Sequence, residues 1–512
     1  MQTGNAYPML SERSRGWLKY LHRKVNTPDD WDRGGHPSQM WDDKSTPPML
    51  CFARFDLIDS SYAMALMADT TPAWREVYSR ILDQLLMRYG TYWGAIDWQT
   101  QIGHDPQRGN YPEAWKRLYI PADRQGHYDV PGWTANGIEP WGLQMDPIGA
   151  DGNLFYKGFF NLLLGIYRYV SGDNKWRRPF NIICDRANTF TYTHSSINHL
   201  LTRQWAARRE GCHCENTKIW PYCLSAAGLG LQLHDMLYQT ETHWVFDRWW
   251  KYAKEHYVRL PDTGPLEWAA WYYDPIIDYL CQGGLAAAGA LVFYLSPQHY
   301  HDAQRLYERW ASDATRSPVP VSQNLDPARK NALLADPRSF AVGLLTTCEM
   351  GDTAHYQALH ALAEQICEPT WDRDHGEFFY RFGLSEPYPR GQANAVIMAA
   401  EAGGKQAWWR IFNEPNLRKF GQPTVSGVDF PRLGLSQAIY DEEEELLAVS
   451  TYAADPWLAG TSTTFMIDHL HEPAQTRLLR DGSVYDGWRV SGKDRIEVKV
   501  EVQEHSYLVM RV

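Results

Sequence analysis

The feature that most limits how this chain can fold is a helical rhythm of apolar residues that begins near residue 51 and keeps returning. Phe52, Phe55, Leu57, Ile58, Tyr62, Leu66 and Met67 recur at helical spacing, and Thr70-Thr71-Pro72 stops and restarts the chain. Residues 74–89 then place Val77, Ile81, Leu82, Leu85 and Leu86 on one face of a second amphipathic helix. The pattern returns over about 154–170, 175–203, 224–238, 243–258, 275–294, 298–313, 335–349, 353–366, 391–402, 405–412 and 434–453. Such helices bury their apolar stripes against one another, and about six successive pairs predict an α/α toroid. An irregular helical domain is the alternative that periodicity alone leaves open.

The flanks differ from this middle. Residues 1–48 are polar, with a short helix expected near 11–23 and then an extended arm. Residues 91–150 are dense in Gly, Pro, Asp and aromatics, and so long a segment without periodicity reads as a lid or binding loop. At the other end, Arg495-Ile496-Glu497-Val498-Lys499-Val500-Glu501-Val502 alternates strictly, and residues 484–490 and 507–512 also read as strands. The expected architecture is therefore all-α. Its parts are an arm over 1–48, a barrel over 49–465 with an inserted lid at about 95–150, and a small antiparallel β appendage over 466–512.

Composition narrows the function. A net charge of -11 disfavours nucleic acid and anionic membranes as partners. The chain has no uninterrupted apolar run of about eighteen residues, so no membrane span is expected. Residues 1–5 lead into charged positions without the apolar core of a signal peptide, which gives the expectation of a cytoplasmic protein with reduced thiols. The 23 Trp, 30 Tyr and 17 Phe are a heavy aromatic load. Clusters such as Glu267-Trp268-Ala269-Ala270-Trp271-Tyr272-Tyr273 build cores, and they also line cavities for sugars, apolar ligands or carbocations.

The densest reactive stretch is Gly211-Cys212-His213-Cys214-Glu215-Asn216-Thr217-Lys218-Ile219-Trp220-Pro221-Tyr222-Cys223, just ahead of an apolar helix. Cys-x-Cys followed by a lone Cys is a poor match to paired zinc knuckles. A disulfide is disfavoured in a reducing compartment. Acid/base or nucleophilic work by Cys214 and Cys223 remains, beside the plain alternative that Cys223 is a buried small hydrophobe. Asp56 and Asp59 stand near Tyr62. Asp59 and Tyr62 share a helical face, whereas Asp56 and Tyr62 do not, and helix capping is the ordinary role for Asp56. The run Asp441-Glu442-Glu443-Glu444-Glu445 reads as a solvated helix start.

These landmarks, in this order, resemble the linalool dehydratase/isomerase family. Asp56 and Tyr62 open the match, followed by Thr71-Pro72-Ala73-Trp74-Arg75-Glu76-Val77-Tyr78. Asp146-Pro147 and Asn153-Leu154-Phe155-Tyr156-Lys157-Gly158 come next, then Cys214-Glu215 with Cys223 nine residues on, then Leu233-His234-Asp235. The resemblance covers roughly 50–455. It implies an (α/α)6 barrel, no cofactor or metal, a homo-oligomer with active sites near subunit boundaries, and interconversion or dehydration of isoprenoid alcohols. By position it implies Asp56, Tyr62, Cys214 and Cys223 as polar active-site residues, with Glu215 in support. Phe155, Phe159, Tyr156, Trp220 and Trp271 are the expected substrate-lining residues.

The chain departs from the family in one place that matters. The family's active-site histidine falls on Phe159, and a family methionine falls on Phe155. An aromatic face there points to a relative that dehydrates or isomerises a bulkier terpenoid, or that steers a cation toward cyclisation. A glycoside hydrolase or polysaccharide lyase using paired carboxylates, and a terpenoid-binding relative without catalysis, are the rival readings.

Overall fold

The computed structural model describes residues 7–28, 41, 53–91, 138–139, 142–143, 146–150, 152–183, 189–214, 218–262, 266–275, 278–312, 337–385 and 388–511. Most of the expected lid at about 95–150, together with Glu215, lies outside them.

Six helices pack as neighbours in a closed ring. They are α2 (Ala53–Thr70), α4 (Leu154–Ser171), α6 (Pro221–Tyr238), α8 (Gly284–Leu295), α10 (Pro337–Met350) and α12 (Gly391–Ala402), and the last closes back on the first. Outside them run α1 (Glu12–Asn26), α3 (Glu76–Tyr89), α5 (His194–Ala206), α7 (Trp244–His256), α9 (Tyr300–Ala311) and α11 (Thr353–Ile366). The inner helices are apolar nearly all round, as α4 shows with Leu154, Phe155, Tyr156, Phe159, Phe160, Leu162, Leu163 and Ile166 all buried. That is the composition of a helix with neighbours on every side. The outer helices carry one stripe: α9 buries Ala303, Leu306, Tyr307 and Trp310 and leaves its other face to solvent.

Close approach of α4 and α6 depends on glycine. A Cβ added at Gly158 would lie 2.6 Å from that of Ala227, inside any normal contact, so a larger residue would push the two helices apart. Their separation sets the positions of Phe155 and Phe159 relative to Tyr222 and Cys223.

The all-α expectation is overturned. Besides the two-residue pair at 138–139 and 142–143, fifteen strands in five sheets are described, and the fold is mixed α/β. Three hairpins interrupt the helices: Phe180–Ile183 with Thr189–Tyr192, Ala270–Asp274 with Tyr279–Gln282, and Pro369–Asp372 with Glu377–Tyr380. The first occupies much of the segment expected as a helix over 175–203.

The β part at the C-terminal end is not a small appendage. It holds nine strands between Thr424 and Arg511, in one five-stranded and one four-stranded sheet. Residues 434–453, expected as a helix, form the strands Leu433–Asp441 and Leu446–Ala453, paired from Leu433↔Ala453 to Asp441↔Leu446. The acidic run is the turn between them, with Glu445 at a positive φ of 48°. Both strands are buried on both faces for most of their length, so they lack the period-two alternation that would have revealed them. Backbone bonds from Leu10 to Ser436 (2.7 Å) and from Ala73 to Ala438 (3.0 Å) tie this sheet to the helical ring. No helix of the described residues is long and apolar enough to cross a membrane.

Candidate active site

Every ring helix sends at least one side chain to a single polar-aromatic cluster. On α2, Phe55, Asp59 and Tyr62 follow at four- and three-residue spacing and so share a face. Phe159 comes from α4, Tyr222 from α6, Tyr294 from α8, Arg338 from α10 and Gln392 from α12. Tyr294 is the hub. Its hydroxyl meets that of Tyr62 at 3.0 Å and that of Tyr222 at 3.1 Å. Arg338 donates to the Tyr222 hydroxyl at 3.1 Å, and Gln392 donates to Asp59 Oδ2 at 2.9 Å.

Around these polar groups the walls are rings. Phe159 packs on Phe55, Tyr222 and Tyr294 at centroid separations of 5.7, 6.2 and 6.1 Å, and Phe155 lies 6.3 Å from Phe55. Phe55, Phe155, Phe159, Tyr222, Arg338 and Gln392 all sit in the first two turns of their helices. Tyr62 lies midway along α2 and Tyr294 in the last turn of α8, so the cluster lies toward the N-terminal end of the ring except at α8, which meets it by its C-terminal turn.

Burial dominates the electrostatics. It pushes the Asp59 carboxyl up to about 7, partly opposed by Arg338 and the Gln392 hydrogen bond and reinforced by Asp56. Burial likewise raises Tyr62 and Tyr294 well above the usual phenol range, with neighbouring acids and phenols adding to it, and raises Tyr222 against the pull of Arg338. At Arg338 burial opposes the charge, but Tyr222, Asp59 and Tyr294 outweigh it, and the guanidinium stays protonated. Near neutral pH Asp59 is thus the group of this cluster able both to hold and to release a proton. The phenols, raised as they are, stay protonated and hydrogen-bond one another.

The residues singled out from sequence fall into several places. Tyr62 is in the cluster, its ring tilted against Trp408 at 5.0 Å and Phe293 at 5.6 Å, and Phe155 and Phe159 form its wall. Asp56 faces away from the phenols. It pairs with Lys24 of α1 and accepts from Ser60 Oγ at 3.2 Å, under the Cα of Gly391, where no side chain would fit. Tyr156 turns toward α3, donating to the Tyr89 carbonyl at 2.7 Å with its ring 5.0 Å from that of Tyr89.

Cys223 is buried in the first turn of α6 beside Tyr222. Cys214 is buried in the preceding loop, its N–H donating to the Lys218 carbonyl at 2.7 Å. The next residue back, His213, accepts from the N–H of Leu154 at 3.1 Å, which fastens the cysteine loop to the start of α4. Cys212, Cys214 and Cys223 are all thiols. Trp220 packs on Tyr272 at 4.9 Å and Trp271 on Gly283. Both belong to the contact between this loop and the hairpin over 270–282, joined by backbone bonds between Ile219 and Tyr273.

Residues 134–382 match the linalool dehydratase/isomerase family model. The matched segment, just under half the chain, carries Phe155, Phe159, Cys214, Tyr222, Cys223, Tyr294 and Arg338, while Asp59, Tyr62 and Gln392 come from outside it. The resemblance read from the residues is thus met by an independent match. No curated protein sequence matches the chain. Two solved structures are similar at low level. The endoglucanase CelQ from Clostridium thermocellum, complexed with cellotriose, is 10% identical over 98% of this chain and 93% of its own, with a TM-score of 0.36. A GH127 β-L-arabinofuranosidase from Geobacillus stearothermophilus is 11% identical over 70% of this chain and 73% of its own, with a TM-score of 0.26.

Within Tyr156-Lys157-Gly158, the lysine acts as a strut. Lys157 donates to Gln204 Oε1 at 2.6 Å and to the Ala150 carbonyl, holding the turn that begins at Asp146 against α4. Sequence reasoning missed Tyr222, Tyr294, Arg338 and Gln392, and it noted Asp59 only for its face. Tyr222 next to Cys223 was the available signal. Nothing local distinguishes Arg338 or Gln392.

Proposed function

We propose that the cluster at the N-terminal end of the ring is the reaction centre of a cofactor-independent lyase or isomerase acting on an isoprenoid alcohol or related alkene. The observation that carries this reading is a buried carboxyl titrating near neutrality beside three linked phenols, under a wall of phenylalanine faces. The match to a dehydratase/isomerase family supports a lyase or isomerase in general terms.

A neutral acid in the cluster gives its proton to the allylic hydroxyl, the C–O bond breaks, and water leaves. The allylic cation that remains lies against Phe55, Phe155 and Phe159, whose π faces stabilise positive charge. Loss of a neighbouring proton to the conjugate base yields an alkene; attack by water at the far allylic carbon, or by a second double bond to close a ring, leaves a cation that likewise gives a proton to that base. Asp59 is the proton carrier in this scheme because general catalysis is most effective when the pKa lies near the working pH. Cys214 and Cys223 supply the second proton transfer, with Tyr62 binding the hydroxyl. Glu215, beside Cys214 in the sequence, is a candidate support, and Asp56 acts through its ion pair with Lys24. Replacing an imidazole by Phe159 trades a proton carrier for a cation-facing ring, which moves proton transfer toward Asp59.

The test is product analysis by gas chromatography and mass spectrometry after incubation with monoterpene, sesquiterpene and diterpene alcohols. A new alkene or rearranged alcohol that disappears in Asp59→Asn supports the reading. Turnover of none of them, or undiminished turnover by Asp59→Asn, removes it.

A further inference from the structure

Among the described residues, Arg338 is incompletely engaged. A guanidinium offers five N–H donors in a rigid fork. Among the described residues Arg338 uses one, to the Tyr222 hydroxyl at 3.1 Å, and forms no ion pair with a carboxylate. Its flat faces are covered, by Phe55 on one contact and Tyr222 on another, each centroid 5.3 Å away. What remains is the edge of the fork, the part that grips paired oxygens.

The residue is half-buried, so that edge is sheltered without being sealed. A half-buried guanidinium with donors open along its edge is placed to grip an anion bidentately. The nearest acid, Asp59, is held by Gln392 and acts on Arg338 only through space. The surroundings add to the demand for negative charge. The first turns of α2, α4, α6, α10 and α12 reach this end of the ring, and the partial positive charge of helix N-termini favours an anion there.

We infer that the isoprenoid taken here carries an oxyanion, a carboxylate or a phosphate ester, whose paired oxygens complete the fork of Arg338 while its apolar body lies against Phe55, Phe155 and Phe159. This rests on the reading of the ring's N-terminal end as an isoprenoid site, and it changes what the polar end of the substrate is. Lysine would serve less well, because a point charge cannot match two oxygens at once.

Calorimetric titration of the full-length protein with geraniol, geranic acid, geranyl monophosphate and inorganic phosphate tests it. At least one of the two anionic isoprenoids is expected to bind ten or more times tighter than geraniol, and this preference should shrink as salt is raised. In Arg338→Gln the preference falls to twofold or less, and Arg338→Lys restores part of it. Equal or weaker binding of both anions overturns the inference, while geraniol binding and turnover of the alcohols leave the isoprenoid reading standing. Binding of none of the three isoprenoids removes that reading and the inference with it. Inorganic phosphate binding as tightly as geranyl monophosphate overturns the apolar half of the claim. If Arg338→Gln does not fold, the wild-type ranking and its salt dependence decide.

Discussion

Arg13 and Arg338 each reach into a cluster of acids and tyrosines, and the two clusters are completed differently. Arg13 donates to both oxygens of Glu364 at 2.8 and 2.6 Å, to Glu401 at 2.8 Å and to the Tyr380 hydroxyl at 2.9 Å, with its face 4.5 Å from the Phe378 ring. Its fork is filled by the protein. His360, Glu364 and Glu401 would otherwise be spaced to hold a cation, and the guanidinium takes that position, joining α1 to α11 and α12. Arg338 has the same kind of neighbours and, among the described residues, one hydrogen bond. A filled network fixes helices, whereas the open fork among aromatic rings is the one proposed to take a ligand.

That contrast can be broken by substitution. The largest effect is expected at the cysteines: Cys214→Ala and Cys223→Ala should each lower turnover about a hundredfold or more, with thermal midpoints within a few degrees of wild type. Wild-type-like turnover in either variant would exclude that thiol from proton transfer. Arg13→Leu should act oppositely, costing about 3 kcal/mol in denaturant unfolding because it strands Glu401, while the folded fraction keeps its turnover. A fall in turnover without loss of stability would erase the distinction between the two arginines. Tyr294→Phe removes the hub of the phenol chain and should reduce turnover about tenfold, in line with one or two lost hydrogen bonds. Smallest is Gly434→Ala in the C-terminal sheet, where the new methyl meets the Tyr452 ring. It should cost about 1 kcal/mol of stability and nothing in turnover.

Much of the helical part was legible because burial of one stripe leaves a 3.6-residue period, as at Val77, Ile81, Leu82 and Leu85. The strands at 433–441 and 446–453 were not legible, because burial on both faces removed the alternation and left an apolar run around an acidic turn. The short hairpins inside the helical part escaped for a related reason, since four-residue strands leave almost no periodic signal. Of the site, Tyr62, Phe155 and Phe159 could be read because they lie on motif-bearing helices. Tyr294, Arg338 and Gln392 could not, since each lies on a different helix and their meeting is a property of the closed ring.

The stability of the fold should also carry the mark of Asp59. Its folded pKa lies above the ordinary carboxyl value, so the folded state holds that proton more tightly. This contribution is full below about pH 4 and lost as pH rises through about 7. Asp59→Asn should therefore gain thermal midpoint relative to wild type as pH rises across that window, and a constant gap would place the carboxyl in water.

The most direct test of the Asp59-centred site is the pH dependence of kcat/KM for wild type and Asp59→Asn on whichever alcohol is turned over. The expected result is a limb with a midpoint near 7 in the wild type, set by the buried carboxyl. In Asp59→Asn the limb should vanish and turnover should fall about a hundredfold or more. An unchanged limb with undiminished turnover would place the proton carrier elsewhere and contradict the account.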